Sequence, residues 1–360
     1  MIQDTLAEQY ERDKRVWDDC AETYEEEIVG GHPDVTAYES FEEDFLDRLL
    51  AYLIRDRGRQ VHLYDVGCGS ARLHLRYGLK VSNEHQFSDD VKEAMTTVRR
   101  ANPGCQHDPE LAKGLASVGG IDFSSSMIGL AERKMEAAGL AHLLDGSWYF
   151  ETGSAFDLEP MPAEPLPVLV SVCNSIGVTQ GPEGAVELFK SMRRAVEKSE
   201  GIAIISSYRG EAVESYALGN YESTMNVCGQ PLWLTPDDYA SPEFNKLPRA
   251  YKRAHDPDPE ITVDVLDEAG KLVKAGLVLQ RDPTATQTTI AEGHIRTHTD
   301  YESHWYSFDQ IDAWIDEHWH RSRSYHIAGS SLDKLRAEPA QFAIFDAGGW
   351  LGGLLERWGV

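Results

Sequence analysis

The chain has 360 residues, long for one compact domain and enough for a core with a sizeable insertion. Acidic residues outnumber basic ones by 60 to 34, a formal net charge of -26, which argues against nucleic acid and anionic membranes as partners. A 41% hydrophobic share supplies a real core, yet no run approaches the ~18 consecutive apolar residues of a membrane span. The opening MIQDTLAEQYERDKRVW shows neither the basic nor the apolar region of a secretion signal, so the expected compartment is the cytoplasm. Cys20, Cys68, Cys105, Cys173 and Cys228 are scattered without paired ligand spacing, which predicts neither a disulfide framework nor a zinc knuckle.

Taken in chain order, residues 4–28 and 35–57 read as amphipathic helices, the second with Phe41, Phe45, Leu46, Leu49, Leu50 and Leu53 at helical spacing. Residues 61–66 form a short apolar strand that runs into a glycine-rich turn. Residues 76–118 are polar and hold one helix near Asp89–Arg100. A second strand over 118–122 is followed by a helix over 126–138, then strands near 148–151 and 168–172. A helix over 184–197 and a strand over 202–206 complete the rhythm. This alternation predicts an α/β fold, a mostly parallel sheet with helices on both faces. From about residue 208 to 306 the pattern changes: 261–266 pairs plausibly with 272–279 through Asp267–Gly270, and 288–299 offers a third strand. Helical spacing returns over 308–319, and 341–345 reads as a late strand.

The strongest chemical signal is the turn Asp65-Val66-Gly67-Cys68-Gly69-Ser70-Ala71 directly after the first strand. Glycines there let the backbone turn sharply and approach a ligand closely, and a carboxylate at Asp65 can accept from a cationic amino group or fix the loop amides. Asp122 ends the second strand, placed either to accept two hydrogen bonds from a ribose diol or to cap the following helix. Gly153-Ser154-Ala155-Phe156 follows the third strand, where backbone and Ser154 could meet an adenine edge with Phe156 as an apolar wall.

With these stretches in order, YDVGCGSARL, GGIDFSSSMIGLAERK, GSAFDL and VLVSVCNSIG over roughly residues 55–210, the chain resembles the class I S-adenosylmethionine-dependent methyltransferases of small-molecule type. The resemblance implies a Rossmann-like seven-stranded sheet with a smaller α+β cap insertion, and S-adenosylmethionine as cofactor. It implies that Gly67 and Gly69 face the methionine part, that Asp122 holds the ribose and that the Ser154-Ala155 turn meets adenine, with Asp65, Cys68, Phe123, Met127, Phe156 and Asn174 also at the cofactor. The segment Trp17–Tyr24 looks like the lid of such enzymes, with Tyr24 closing over the cofactor. Three departures stand out: Ala71 replaces the usual third glycine, Ser154 replaces an acid common after Gly153, and residues 76–118 are extra. The implied division is a helical lid at 1–58, a core at 59–209 with 306–360 carrying insertion 76–118, and a substrate cap at 210–305.

Methyl transfer from a sulfonium chiefly needs alignment and exclusion of water, and a base only if the nucleophile arrives protonated. Asn174, after the fourth strand, is the polar group best placed to contact cofactor and orient an acceptor. Tyr208 and Arg209 end the next strand, where Arg209 would clamp a carboxylate or pair with a surface acid. His294 and His298 share a face of the 288–299 strand. With His304 they leave three readings open: a general base, carried by His298, a metal site, or structural histidines. The expected acceptor is a small molecule, an amine or amino-acid nitrogen ahead of oxygen, carbon or sulfur, with the oligomeric state open. A non-catalytic S-adenosylmethionine-binding protein and a nicotinamide oxidoreductase are the rivals. The latter wants G-x-G-x-x-G and an acid about 20 residues on, whereas here position 72 is Arg72 and Asp122 lies much further along.

Overall fold

A strand buried along its whole length needs neighbours on both edges and cover on both faces. β1 (Val61–Val66) and β4 (Leu166–Ser171) are such strands, and they pair in parallel at the centre of a seven-stranded sheet. The computed structural model describes residues 6–21, 33–208, 264–266, 272–274, 293–296, 302–328 and 340–358. Outward from β1 lie β2 (Leu115–Asp122) and β3 (Trp148–Thr152). Outward from β4 lie β5 (Ile202–Tyr208), β11 (Ala340–Asp346) and β10 (Ser324–Ala328). Only β11 in this sheet runs against its neighbours. The chain winds out to β3 and returns on the other side at β4, so its direction of winding reverses between β1 and β4. In open α/β sheets that is where a crevice opens at the carboxyl ends of the strands.

Strand alternation feeds two cores. Val61, Leu63, Val168, Val170, Ile202, Ile204 and Phe342 point to one face, and Tyr64, Val66, Leu169, Ala203, Ile205 and Phe345 to the other. Helices α2 (Pro33–Ala51), α3 (Arg72–Val81) and α6 (Ser125–Ala137) cover the first face with Phe45, Leu49, Leu73, Tyr77 and Met135. Helices α7 (Gly181–Val196) and α8 (Phe308–His318) cover the second with Leu188, Phe189, Ile311 and Trp314. Each such side chain contributes about 1.5–3 kcal/mol by leaving water.

The mostly parallel sheet with helices on both faces agrees with the sequence pattern, but several bounds differ. The run 76–118 is not all insertion, since α3 carries the chain to Val81 and β2 already starts at Leu115. Between them lie α4 (Asp89–Ala101), as expected, and α5 (Pro109–Gly114), which was not foreseen. Asp108 caps α5 by accepting from Glu110 and Leu111, with proline at the first helical position. α1 spans Leu6–Cys20; the rest of the expected 4–28 helix, 22–28, lies outside the described residues. Strand β10 and α9 (Gly352–Trp358) also escaped the sequence reading. Between β3 and β4 only a 3-10 turn, Ala155–Asp157, covers the crossing.

A second, antiparallel sheet has the order β7-β6-β8-β9, with β6 (Asp264–Leu266), β7 (Leu272–Lys274), β8 (Gly293–Arg296) and β9 (Glu302–Trp305). The expected hairpin is realised as β6 against β7, and β8 falls within the expected 288–299 strand, whose other residues lie outside the described ones. Among the described residues no helix is long and apolar enough to cross a membrane.

Candidate cofactor site

The turn after β1 is held open by backbone geometry. Gly67 and Gly69 have φ of 81° and 48°, the left-handed region that glycine enters without penalty. Ala71, where a third glycine was expected, also sits at φ 71° and bears about 1–2 kcal/mol of strain for it. The turn is clipped to the end of β2: Gly67 and Cys68 N–H donate to the Ile121 carbonyl at 2.8 and 3.0 Å. Gly69 N–H donates to Asp122 Oδ2 at 3.0 Å. β1 and β2 thus present their acids side by side.

Asp122 also accepts from Ser124 N–H at 2.9 Å. It is not the helix cap; that role falls to Ser124, whose hydroxyl oxygen accepts from Met127 N–H at 3.1 Å. A carboxylate has about four acceptor positions, so with the Phe123 amide also donating to it Asp122 keeps some capacity for a ligand. Burial pushes the Asp122 carboxyl up to about 6 against the pull of the Ser124 and Gly69 amides. Asp65 is buried deeper in chemical terms: its Oδ1 has no hydrogen-bond partner among the described residues. Burial raises it to about 7, opposed by the Arg72 guanidinium and reinforced by Glu42 and Asp122.

Both acids line one cavity of about 610 Å³, within the ~300–1,000 Å³ typical of small-molecule sites. Gly67, Cys68, Gly69, Phe123, Met127, Ser154, Ala155, Phe156 and Asn174 line it too. Asn174 follows β4 at φ 56° and donates from Nδ2 to the His304 carbonyl of β9 at 3.3 Å. Glycine makes this approach feasible: a Cβ on Gly177 would lie 2.1 Å from Asn174 Nδ2 and 2.5 Å from the same carbonyl, and one on Gly181 would meet the His304 ring at 3.2 Å. The insertion contributes Val98, Asn102 and Cys105 to the cavity wall.

The roof comes from α1, through Tyr10 and Trp17. Asp18 Oδ1 accepts from the Ser124 hydroxyl at 2.6 Å and from Ser126 N–H at 3.2 Å, while Gln180 Nε2 donates to Asp13 at 2.9 Å. Tyr10 was missed in the sequence, although it lies seven residues before Trp17 and so on the same helical face. Its ring centre is 5.5 Å from Phe123 and 6.4 Å from Phe156. Ser154 lines the cavity, and its hydroxyl is also engaged within the protein, by Phe156 N–H at 3.2 Å and by Tyr10.

Tyr24, Arg209 and His298 lie outside the described residues, as does the side chain of Tyr208, the last residue of β5. His294 stands opposite His304 across β8 and β9. No group of three or more metal-ligating side chains able to hold a metal ion occurs among the described residues.

No protein family model matches the chain, and no curated protein matches it. Among solved structures it is similar to the S-adenosylmethionine-dependent methyltransferase SibL in its apo form, with 13% identity over 84% of this chain and 55% of that one and a TM-score of 0.35. It is also similar to an S-adenosylmethionine-dependent methyltransferase from Clostridium acetobutylicum ATCC 824, with 10% identity, 91% and 98% coverage and a TM-score of 0.43. The CcbJ methyltransferase from Streptomyces caelestis gives 12% identity, 92% and 98% coverage and a TM-score of 0.44. The chain spans just over half the length of SibL and nearly all of the other two. Likenesses this distant assign no activity, which must rest on the chain's own residues.

Proposed function

We propose that this protein is an enzyme that transfers a methyl group from S-adenosylmethionine to a small-molecule acceptor. One observation carries the reading: a buried oxygen of Asp65 with no partner among the described residues and the spare acceptor capacity of Asp122 stand at neighbouring strand ends and line one cavity. A ligand with an ammonium group at one end and a vicinal diol further along satisfies both acids. Asp65 holds the ammonium, the Gly67–Gly69 backbone lies against the methionine part, and Asp122 accepts from the ribose. Phe123, Phe156 and Tyr10 wall the adenine, with Met127, Ala155 and Cys68 completing the surface. When bound, the cofactor supplies a methyl group already activated by its sulfonium. The chain's own contribution is alignment and exclusion of water, the latter by the α1 roof.

Asn174 orients the acceptor's nucleophile, with Tyr208, Arg209 and His298 as further candidates. We carry an amine or amino-acid nitrogen ahead of oxygen, carbon or sulfur, because the chain is strongly acidic and Asn174 lines the cavity. Residues 1–58 serve as lid, 59–209 with 306–360 as core and 210–305 as cap, in a cytoplasmic protein.

Thermal unfolding with S-adenosylmethionine, S-adenosylhomocysteine and NAD side by side tests the cofactor. The first two are expected to raise the midpoint, by about 2.7 kcal/mol of stability at a hundredfold excess over Kd, and NAD to leave it unchanged. Asp122→Ala is expected to weaken both by roughly ten- to a hundredfold, the worth of charge-assisted hydrogen bonds of about 1.5–3 kcal/mol. Stabilisation by NAD alone would replace this reading with the oxidoreductase. Binding without transfer of labelled methyl to any amine, alcohol, thiol or carboxylate would leave a non-catalytic binder.

A further inference from the structure

Glu42 of α2 is fully buried, yet it does not line the cavity. Its carboxylate instead faces three other elements. Oε2 accepts from Arg72 Nη2, at the start of α3, at 2.5 Å. Oε1 accepts from Cys173 N–H, just past β4, at 2.7 Å, and from the hydroxyl of Ser206 in β5. Taking a carboxylate out of water costs several kcal/mol unless such donors meet it. A group in that position is therefore either an accident of packing or a fixture.

Two features of its partners separate those cases. Arg72 and Cys173 both line the cavity, on the β1 and β4 sides respectively. Cys173 and Asn174 both adopt φ of 56°; asparagine enters this left-handed region readily, but at Cys173 it costs about 1–2 kcal/mol. Such a turn persists only if its surroundings hold it, and the bond from Cys173 N–H to Glu42 is such a hold.

We propose that Glu42 is a positioning residue that sets the two walls of the cavity, Arg72 and the Cys173–Asn174 turn, relative to one another. The identity of the ligand between those walls rests on the S-adenosylmethionine reading; the hold on the turn does not. In Glu42→Gln one amide NH2 must face a donor, either Arg72 or the Cys173 N–H, so one wall loses its bond to position 42 at nearly constant volume, Arg72 keeping its 3.6 Å ion pair with Glu43.

The test combines three readouts on the full chain. S-adenosylhomocysteine affinity by calorimetry is expected to fall at least tenfold in Glu42→Gln. Alkylation of the partly exposed Cys173 by iodoacetamide is expected to accelerate several-fold by peptide mass mapping. The double variant Glu42→Gln/Arg72→Gln is expected to bind no more weakly than Arg72→Gln alone, because coupled partners do not add. A merely structural carboxylate predicts the opposite: a lower melting midpoint with unchanged affinity, unchanged Cys173 labelling and additive losses, and that pattern overturns the proposal. Should Glu42→Gln not fold, Glu42→Asp, which keeps the charge but not the reach, carries the same three expectations. If the wild type fails to bind S-adenosylhomocysteine the cofactor reading falls, while Cys173 labelling still decides whether Glu42 holds the turn.

Discussion

Asp65 concentrates the electrostatics of the site in one atom. Its folded-state value of about 7 lies above its ordinary 3.8 because burial disfavours the charged form. In the ligand-free protein its contribution to stability is therefore complete below about pH 4 and lost as pH rises through 7. A cationic ligand needs the carboxylate, so its affinity runs the other way. Calorimetry with S-adenosylhomocysteine is expected to show affinity rising with pH, by up to tenfold per unit, and levelling above 7. Asp65→Asn should abolish the step near 7 and leave a weaker one near 6 from Asp122, whose raised value has the same sign of effect. A pH-independent affinity in the wild type would remove Asp65 from the ammonium site. Asp65, Gly67, Gly69 and Asp122 were legible because each ends an apolar strand at a fixed offset. Glu42, Arg72 and Tyr10 were not, since what defines them is a partner on another element: Arg72 lies 30 residues from Glu42, and nothing local encodes that pairing.

Polar contacts fasten α1 to the site alongside the packing of Tyr10, Val16 and Trp17. Asp18 bonds the start of α6 and Asp13 bonds Gln180 at the start of α7. Asp18→Ala removes bonds comparable to a helix cap, about 0.5–2 kcal/mol. Trypsin cleavage at Arg12, Lys14 and Arg15 is then expected to accelerate several-fold over the wild type, and saturating S-adenosylhomocysteine to slow it again. Equal cleavage rates would show that α1 is held by packing instead. The strands that make the floor were readable because they are continuous apolar runs with β-branched residues. α3 was not, because its buried stripe of Leu73, His74 and Tyr77 is interrupted by Arg72, Arg76 and a buried Gly78. β10 escaped for the opposite reason: at the sheet edge it contributes Ile327 to the core among polar neighbours, too little alternation to mark a strand.

At the scale of the whole molecule the acidic excess acts on stability before it acts on any partner. A formal charge of -26 repels itself in the folded state, and that repulsion is screened as the Debye length falls from about 30 Å at 0.01 M salt to about 3 Å at 1 M. The melting midpoint is expected to rise by several degrees across that range in sodium chloride, and a fall would mean that surface ion pairs outweigh the repulsion. The same scale joins the two sheets. At Gly177 and Gly181 the chain carries no side chain, and β9 rests directly on the turn that ends in Asn174. A shift of β9 would thus be felt first at Asn174, because the carbonyl it would move is the one that Asn174 holds at the cavity wall.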